Sequence, residues 1–357
     1  LTITIMNIKI TGSGSYIPTK KVTNSDFAQH DFLNEDGTAF NMTNDIIAEK
    51  FVEITGIIER RYAADDMVNS DMAVIASKKA IEKSGIDPET LDYIIFAHNY
   101  GDIQINTIQS DTVPSLATRV KYGLKIKNTK CVAYDILFGC PGWIEAVIQA
   151  QAFIKAGMAK KCLVIGSETL SRVVDKHDRD SMIYSDGAGA TIIEATDDEG
   201  GILAHESATF SFDESKFLYF GNSFSKEEDP NIRYIKMYGR KIYEFALSQV
   251  PKAMAACIEK SGVDISKVKK VLIHQANEKM DEAIIHRFFK QYKQTPPEGV
   301  MPMSIHKLGN SSVATVPTLF DLMIKGQLEN QSLEKGDVIL FASVGSGMNI
   351  NAIVYQM

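Results

Sequence analysis

The sequence predicts an α/β protein built from two similar halves, each a mixed sheet with helices on both faces. Two observations predict this fold: segments recur at a spacing of about half the chain, and short apolar runs alternate with helical segments. The composition agrees, since 357 residues with 45% hydrophobic and 23% charged side chains can bury a large core.

The first repeat pairs IEKSGIDPETLDYIIFA, from Ile81, with IEKSGVDISKVKKVLIH, from Ile258. Both segments predict the end of a helix, a glycine stop and then a strand. Gly85 and Gly262 each suit the left-handed residue that commonly ends a helix. The apolar runs that follow are short and continuous, which is typical of strands covered on both faces.

Two further pairs have nearly the same spacing. KKCLVIGSE from Lys160 resembles GDVILFASV from Gly336, and NIKITGSGSYIP from Asn7 resembles YSDGAGATIIEA from Tyr184. Three pairs at one spacing favour duplication over chance. We therefore divide the chain into an N-terminal half, 6–180, and a C-terminal half, 181–357. The least regular stretch, 212–233, is predicted to be a surface excursion.

Charge and cysteine content argue against several classes of protein. The net charge of −7 and the lack of a dominant basic block argue against a nucleic-acid surface. The four cysteines form no CxxC pair and no histidine cluster has zinc-ligand spacing, so we expect neither disulfides nor a metal or other cofactor.

The start of the chain carries no recognisable targeting signal. The residues before Met6 lack the basic start and long apolar middle of a signal peptide, and no apolar run is long enough to span a bilayer. We predict Met6 as the natural start and the cytoplasm as the location.

Cys140 lies in VAYDILFGCPGWIEAVIQAQAFIKAG, between a predicted strand and a predicted long helix. Pro141 suits a first helical turn. A helix N-terminus favours negative charge, so this position predicts a lowered thiol pKa and N–H groups able to hold an oxyanion. A nucleophile and an inert buried cysteine both fit this context.

Two further polar residues are candidates, and the first of them, His274, lies at a strand end, where chemistry often collects in α/β folds. His274 follows the buried strand VLI, and Asn310 lies in a Gly-Asn-Ser-Ser turn before a helix. For each, the commoner interpretation is structural: a core or surface histidine, and a turn or N-cap asparagine.

Four motifs together resemble beta-ketoacyl-acyl-carrier-protein synthase III and its relatives in the thiolase superfamily. The motifs are FGCPGW, HQAN, GNSSVATVP and the DGAGA that begins at Asp186. The resemblance covers nearly the whole chain and implies a thiolase-like fold with five-layered α-β-α-β-α architecture. It also implies a homodimer that acts on acyl thioesters and acyl-carrier protein.

The resemblance implies roles for the three side chains. Cys140 is the nucleophile that accepts an acyl group, while His274 and Asn310 stabilise the enolate formed when a malonyl extender loses CO2. The oxyanion would bind the backbone N–H of Cys140 and one in 345–347, the segment Gly345, Ser346 and Gly347. The implied product is a 3-oxoacyl thioester for fatty-acid or specialised lipid or polyketide biosynthesis.

The sequence departs from the family at positions that contact coenzyme A or a carrier. Lys50 and Ile54 stand where the family usually has a tryptophan and an arginine that grip coenzyme A. Arg172 matches a basic residue near the tunnel mouth, and Lys279 stands where a carrier-contacting arginine is common. Both are also consistent with solvated surface charges.

Two smaller side chains distinguish the predicted substrate pocket. Val113 replaces a phenylalanine common in acetyl-primed relatives, where it reaches in from the partner subunit, so we expect a primer longer than acetyl. Val344 replaces a phenylalanine found beside the malonyl carboxylate in many decarboxylating members. Together with Pro141, it favours a specialised synthase.

Three alternatives remain open at this stage. The same three side chains fit a non-decarboxylative or alkylresorcinol-type condensation. A cysteine acyl-hydrolase also uses a Cys–His–Asn set. A non-catalytic partner subunit is disfavoured because all three candidate catalytic residues are present.

Overall fold

The computed structural model describes residues 7–357, so the predicted start at Met6 lies outside the described residues. The strands are β1 Asn7–Tyr16, β2 Lys20–Thr23, β3 Glu59–Tyr62, β4 Tyr93–Ala97, β5 Val132–Ile136, β6 Lys161–Thr169, β7 Asp186–Thr196, β8 Gly201–Thr209, β9 Leu218–Gly221, β10 Tyr234–Met237, β11 Val268–Ile273, β12 Val338–Gly345 and β13 Asn349–Gln356. The α-helices are α1 Asn44–Thr55, α2 Asn69–Ser84, α3 Leu116–Gly123, α4 Gly142–Lys155, α5 Gly239–Ser261, α6 Glu278–Gln291, α7 Ile305–Leu308 and α8 Thr315–Ile324. Short 3₁₀ turns occupy Asn24–Phe27, Pro88–Thr90, Leu170–Arg172, Arg179–Ile183, Ile265–Lys267, Ser312–Ala314 and Ser346–Met348.

The two large sheets have the same strand order. The first runs β1-β7-β6-β4-β5 and the second runs β8-β13-β12-β11. Equivalent neighbours also share direction, because β4 and β6 are parallel like β11 and β12, whereas the other equivalent pairs are antiparallel. The duplicated fold is therefore confirmed, with β5 as an additional edge strand of the first sheet.

Two of the three sequence repeats are equivalent in this order. The strands of the first repeat, β4 and β11, occupy equivalent positions in the two sheets, and so do those of the second repeat, β6 and β12. Helices α2 and α5 end at Gly85 and Gly262, whose φ angles of 70° and 69° are the predicted left-handed stops.

The third repeat is wrong, because β1 and β7 are antiparallel neighbours in one sheet rather than counterparts. The strand order makes β8 the counterpart of β1, and β13 that of β7. The sequences of β1 and β7 resemble each other because a helix packs closely on each of these strands, which favours glycine. A Cβ on Gly14 would lie 2.6 Å from the Ala80 nitrogen, and one on Gly189 would lie 2.6 Å from Pro317 Cβ.

The predicted division after residue 180 is too early by the same criterion. Strand β7 pairs with β1 and β6, so the chain enters the second sheet only between Thr196 and Gly201. The sequence missed this because β7 follows the midpoint of the chain, after which every other strand of the two large sheets belongs to the second one.

Five layers follow from the way the sheets cover each other. Helices α2 and α3 cover the outer face of the first sheet, α4 and α8 lie between the sheets, and α5 and α6 cover the second sheet. Side chains of β11 alternate between layers: Val271 and Ile273 join the outer core, whereas Leu272 joins the central one. Among residues 7–357, no helix is both long and apolar enough to cross a bilayer.

The stretch 212–233 is more ordered than predicted. Phe212 is 96% exposed, but β9 pairs with β10 in a two-stranded sheet. Lys236 of β10 is buried at 3% exposure, and its Nζ lies 2.6 Å from Asp175 Oδ2 and 3.0 Å from Asp178 Oδ2. A buried ion pair therefore holds this two-stranded sheet against the loop that follows β6.

Replacing Lys236 with methionine should lower the free energy of unfolding by about 3–5 kcal/mol, because two buried carboxylates would lose their cation. Denaturant unfolding measures the change. In the matched control Lys20→Met, which removes an exposed pair with Asp65, the loss should stay below about 1 kcal/mol. Equal losses in both variants would contradict the assignment of Lys236 as an anchor.

Candidate active site

Cys140 lies in the connection between β5 and α4, as the sequence predicted. The Gly142 N–H donates to the Gly139 carbonyl at 3.0 Å, and the Glu145 N–H donates to the Pro141 carbonyl at 3.0 Å. Pro141 is the N-cap of α4, so Cys140 directly precedes the first turn of a central-layer helix.

Two glycines let the halves touch beside Cys140. A Cβ on Gly139 would lie 2.6 Å from the Ser346 nitrogen, and a Cβ on Gly345 would overlap the Cys140 nitrogen. The Cys140 amide and the segment 345–347 are therefore adjacent, and Gly347 bends that segment with φ 75°. This adjacency is what the predicted oxyanion site requires, although its function stays a prediction.

His274 follows β11 at its C-terminal end. The backbone N–H of His274 donates to the Ala342 carbonyl at 2.9 Å, and the residue is 4% exposed. Its Nδ1 is buried without a hydrogen-bond partner among the described residues. Burial lowers the pKa of His274 to about 4, so the imidazole is neutral at physiological pH.

Asn310 is held on both sides by hydrogen bonds. Its backbone N–H donates to the Ile183 carbonyl at 3.0 Å, and its backbone carbonyl accepts from the Ser185 N–H at 2.8 Å. Its side-chain Oδ1 accepts from the Ser312 N–H at 2.8 Å. With the oxygen held, the amide nitrogen is the end of the side chain that is left to donate.

Cys140, His274 and Asn310 all line one cavity of about 970 Å³. Most of its other lining is apolar and comes from α1, β9, β10 and the start of α5. The apolar lining includes Met42, Ile47, Phe51, Leu170, Ile183, Leu218, Phe220, Ile235, Met237, Ile242 and Met280. A long apolar chain could therefore lie against the three polar groups.

The predicted pocket and contact residues take different positions. Val344, Lys50 and Ile54 line the cavity. Lys279 is exposed, one residue before Met280 of the cavity wall. Val113 is 85% exposed and does not line the cavity.

The position of Arg172 corrects the prediction that this residue contacts a carrier or coenzyme A. Arg172 is 8% exposed, and its guanidinium donates to the main-chain carbonyls of Ile103 and Ala64. These bonds use the cation inside the fold, which leaves it poorly placed to contact a carrier or coenzyme A.

Three polar residues that the sequence analysis did not single out are linked to the sulfur by hydrogen bonds. The Ser312 hydroxyl donates to Cys140 Sγ at 3.3 Å, and Asn99 Nδ2 donates to Ser312 Oγ at 3.3 Å. Asn99 Nδ2 also donates to Glu168 Oε1 at 2.8 Å. The available signal was the second serine of GNSS and the acid that follows the apolar run of β6.

The thiol pKa runs against the sequence prediction. Burial raises the pKa of Cys140 to about 11, while the Ser312 hydrogen bond lowers it and the nearby Glu168 carboxyl raises it. Burial of the sulfur therefore outweighs its position before a helix. Burial also raises the pKa of Glu168 to about 7.

A duplicated five-layered fold with Cys, His and Asn at one cavity defines a condensing enzyme of the thiolase fold. The family model for 3-oxoacyl-[acyl-carrier-protein] synthase III matches 134–210, and the model for the C-terminal part of that family matches 258–357. Beta-ketoacyl-[acyl-carrier-protein] synthase III of Neisseria meningitidis is 32% identical over 349 residues, which cover 98% of each chain. The chain therefore belongs to the beta-ketoacyl-[acyl-carrier-protein] synthase III family, whose members are acyltransferases.

Solved structures agree with this assignment. 3-Oxoacyl-[acyl-carrier-protein] synthase III from Aquifex aeolicus is 30% identical, with a TM-score of 0.78 over 98% of this chain and 100% of that one. The priming beta-ketosynthase of the R1128 polyketide pathway has a TM-score of 0.80 over 98% of this chain and 96% of that one. At 23% identity, that second likeness shows the fold alone.

The imidazole of His274 should stay neutral between about pH 5 and 8, where an ordinary histidine titrates. The lowered pKa means that a proton binds only as the pH falls to about 4. NMR of labelled histidine measures this, and His274→Asn identifies the signal. A midpoint near the ordinary value of about 6.5 would contradict the neutral state.

Proposed function

We propose that the chain forms a carbon–carbon bond by Claisen condensation. An acyl thioester would first load Cys140, and a malonyl-acyl-carrier-protein-type extender would then give a 3-oxoacyl product. The observation that carries the proposal is the convergence of Cys140, His274 and Asn310 on one apolar cavity. The pathway would be fatty-acid biosynthesis or specialised lipid or polyketide biosynthesis.

In the first step, the Cys140 thiolate attacks the thioester carbonyl of the donor. The negative charge develops on the carbonyl oxygen, beside the adjacent amides of Cys140 and 345–347. The carbon–sulfur bond of the donor breaks, and the proton of Cys140 leaves with the released carrier thiol. The acyl group is then held as a thioester on the enzyme.

In the second step, His274 and Asn310 bind the thioester oxygen of the extender. A neutral imidazole and an amide N–H both donate hydrogen bonds, which strengthen as the carbon–carboxylate bond breaks and CO2 leaves an enolate. The enolate carbon attacks the acyl carbonyl on Cys140. The carbon–sulfur bond to Cys140 breaks, which returns the thiolate and releases the 3-oxoacyl thioester.

His274→Ala should retain acylation of Cys140 but lose condensation by at least about a hundredfold, because it removes an enolate donor. Mass spectrometry of protein incubated with acyl thioesters measures acylation, and release of CO2 in step with product measures condensation. Cys140→Ala should give no adduct, whereas Cys162→Ala, which changes a buried cysteine, should behave as wild type. Loss of acylation in His274→Ala would overturn the division of roles, and absence of any adduct on wild type would overturn the nucleophile.

A non-decarboxylative or alkylresorcinol-type condensation is the second candidate, and Val344 favours it. This residue lines the cavity where the resemblance assigns a phenylalanine beside the malonyl carboxylate in many decarboxylating members. The same measurement of CO2 separates the two candidates. Product without CO2 would support the second.

A homodimer is part of the proposal. Apolar side chains are exposed on the 105–113 loop and around the edge strand β5, as is typical of an interface. They are Ile105, Ile108, Val113, Val132 and Leu137. Burying this face would allow Val113 of one subunit to form the floor of the other subunit's acyl site.

Val113→Phe should shift the preferred primer toward acetyl by at least about tenfold, because the added ring would fill space worth several methylenes. Competition among acyl thioesters of graded length, read as the masses of Cys140 adducts, measures the shift. Ile108→Phe enlarges another apolar side chain of the same loop and serves as the control. A longer-chain preference that is unchanged in Val113→Phe would contradict the proposed floor.

An acyl-carrier protein is the proposed partner, with acyl groups linked to it or to coenzyme A. Lys279 and Lys50 support an acidic partner, since one is exposed beside the cavity wall and the other lines it. Ile54, in place of the family's arginine, removes a charged grip for coenzyme A. A cytoplasmic location belongs to the same proposal and is supported by four free cysteines.

A further inference from the structure

A line of hydrogen bonds runs from the interior of the first sheet to the reactive sulfur. Glu168 is the last residue but one of β6 and is fully buried, and its Oε1 accepts from both the backbone N–H and the side-chain Nδ2 of Asn99. Asn99 Nδ2 also donates to Ser312 Oγ, and Ser312 Oγ donates to Cys140 Sγ. Asn99 therefore donates both to Glu168 and to Ser312, while Ser312 accepts from Asn99 and donates to the sulfur.

The donor count fixes the direction of the Ser312 hydroxyl. Asn99 Nδ2 has two hydrogens, and the two acceptors Glu168 Oε1 and Ser312 Oγ account for both. Because Ser312 Oγ accepts one of them, its own single hydrogen is free to point at Cys140 Sγ, 3.3 Å away.

The main chain of Ser312 supports the same arrangement. Its φ of 52° lies in the left-handed region, which a serine adopts at an energetic cost. This conformation lets its N–H donate to Asn310 Oδ1 while its hydroxyl faces the sulfur. One residue therefore contacts both the nucleophile and an enolate donor.

We propose that Ser312 is a catalytic residue that stabilises the Cys140 thiolate by a hydrogen bond, and that Asn99 and Glu168 position it. The proposal rests on the proposed function for the role of Cys140 as nucleophile. The Ser312 hydroxyl supplies a hydrogen-bond donor to the sulfur at the point where its anion forms. A hydrogen bond to a charged group is worth more than one to a neutral group, so Ser312 acts most strongly on the thiolate.

Ser312 and the carboxylate of Glu168 have opposite effects on the pKa of Cys140. Burial raises the pKa of the Cys140 thiol, the Ser312 bond lowers it, and the Glu168 charge raises it. Glu168 is thus useful as an acceptor that orients Asn99, while its charge opposes the thiolate. A glutamine at this position would keep the acceptor and remove the charge.

Ser312→Ala should slow alkylation of Cys140 by iodoacetamide about tenfold at neutral pH and move the midpoint of the rate–pH curve upward by about one pH unit. Mass spectrometry of the Cys140 peptide measures the rate. Because the Ser312 N–H remains, Asn310 keeps its orientation and the loss should appear in acylation. Ser311→Ala removes a neighbouring hydroxyl that bonds to Thr315, and should leave both readings at the wild-type value.

The positioning residues are tested by paired variants in the same assay. Glu168→Leu removes the acceptor and should slow alkylation, whereas Glu168→Gln should restore at least the wild-type rate. If Ser312→Ala does not fold, as judged by thermal melting, Asn99→Ala gives the reading, with a several-fold slower rate expected because the hydroxyl can then turn away.

Two outcomes would overturn the inference. One is a folded Ser312→Ala with a wild-type rate–pH curve, and the other is Glu168→Gln that is as slow as Glu168→Leu. Iodoacetamide needs no acyl donor, so these results are independent of the proposed condensation. A wild-type chain that alkylates at Cys140 but never accepts an acyl group would instead remove the proposed function.

Discussion

The close contact between the backbone at Gly139 and the backbone at Gly345 and Ser346 is the constraint on which the rest of the site depends. It joins the start of a central helix from one half to the end of a strand from the other. Any side chain at Gly139 or Gly345 would separate the two segments. The duplicated sheets thus matter for chemistry because they bring two main-chain segments to one sulfur.

Burial then decides the charge state of the groups at this junction. The same dry surroundings raise the pKa of Cys140 to about 11 and lower that of His274 to about 4, so both groups are neutral at rest. A neutral thiol and a neutral imidazole suit a site that must hold apolar acyl chains. The cost is that an anion forms only when hydrogen-bond donors are already in place.

The sequence predicted the parts of the fold that are written in local patterns. The duplication could be recognised from the glycine stops at Gly85 and Gly262 and from the continuous apolar strands. Both patterns depend on neighbouring residues alone. The pairing of β7 with β1 was missed, since strand partners are set by long-range packing that small-residue patterns do not reveal. The motif resemblance added the three side chains that line the cavity.

What the sequence missed at the site has the same origin. Glu168, Asn99 and Ser312 come from distant segments, and their hydrogen bonds appear only once the chain is folded. Arg172 was misassigned because the sequence does not distinguish an arginine that faces solvent from one that donates to two buried carbonyls. The thiol pKa had the wrong sign because the depth of burial cannot be taken from a strand–turn–helix pattern.

The two-stranded sheet of β9 and β10 is separate from both duplicated sheets, yet it supplies five residues of the cavity wall: Leu218, Tyr219, Phe220, Ile235 and Met237. It is tied to the body of the protein by the ammonium of Lys236 between Asp175 and Asp178. Evolution can therefore remodel this wall by insertion or exchange while the reactive groups keep their geometry. Such modularity gives one scaffold a route to new acyl specificities without redesign of its chemistry.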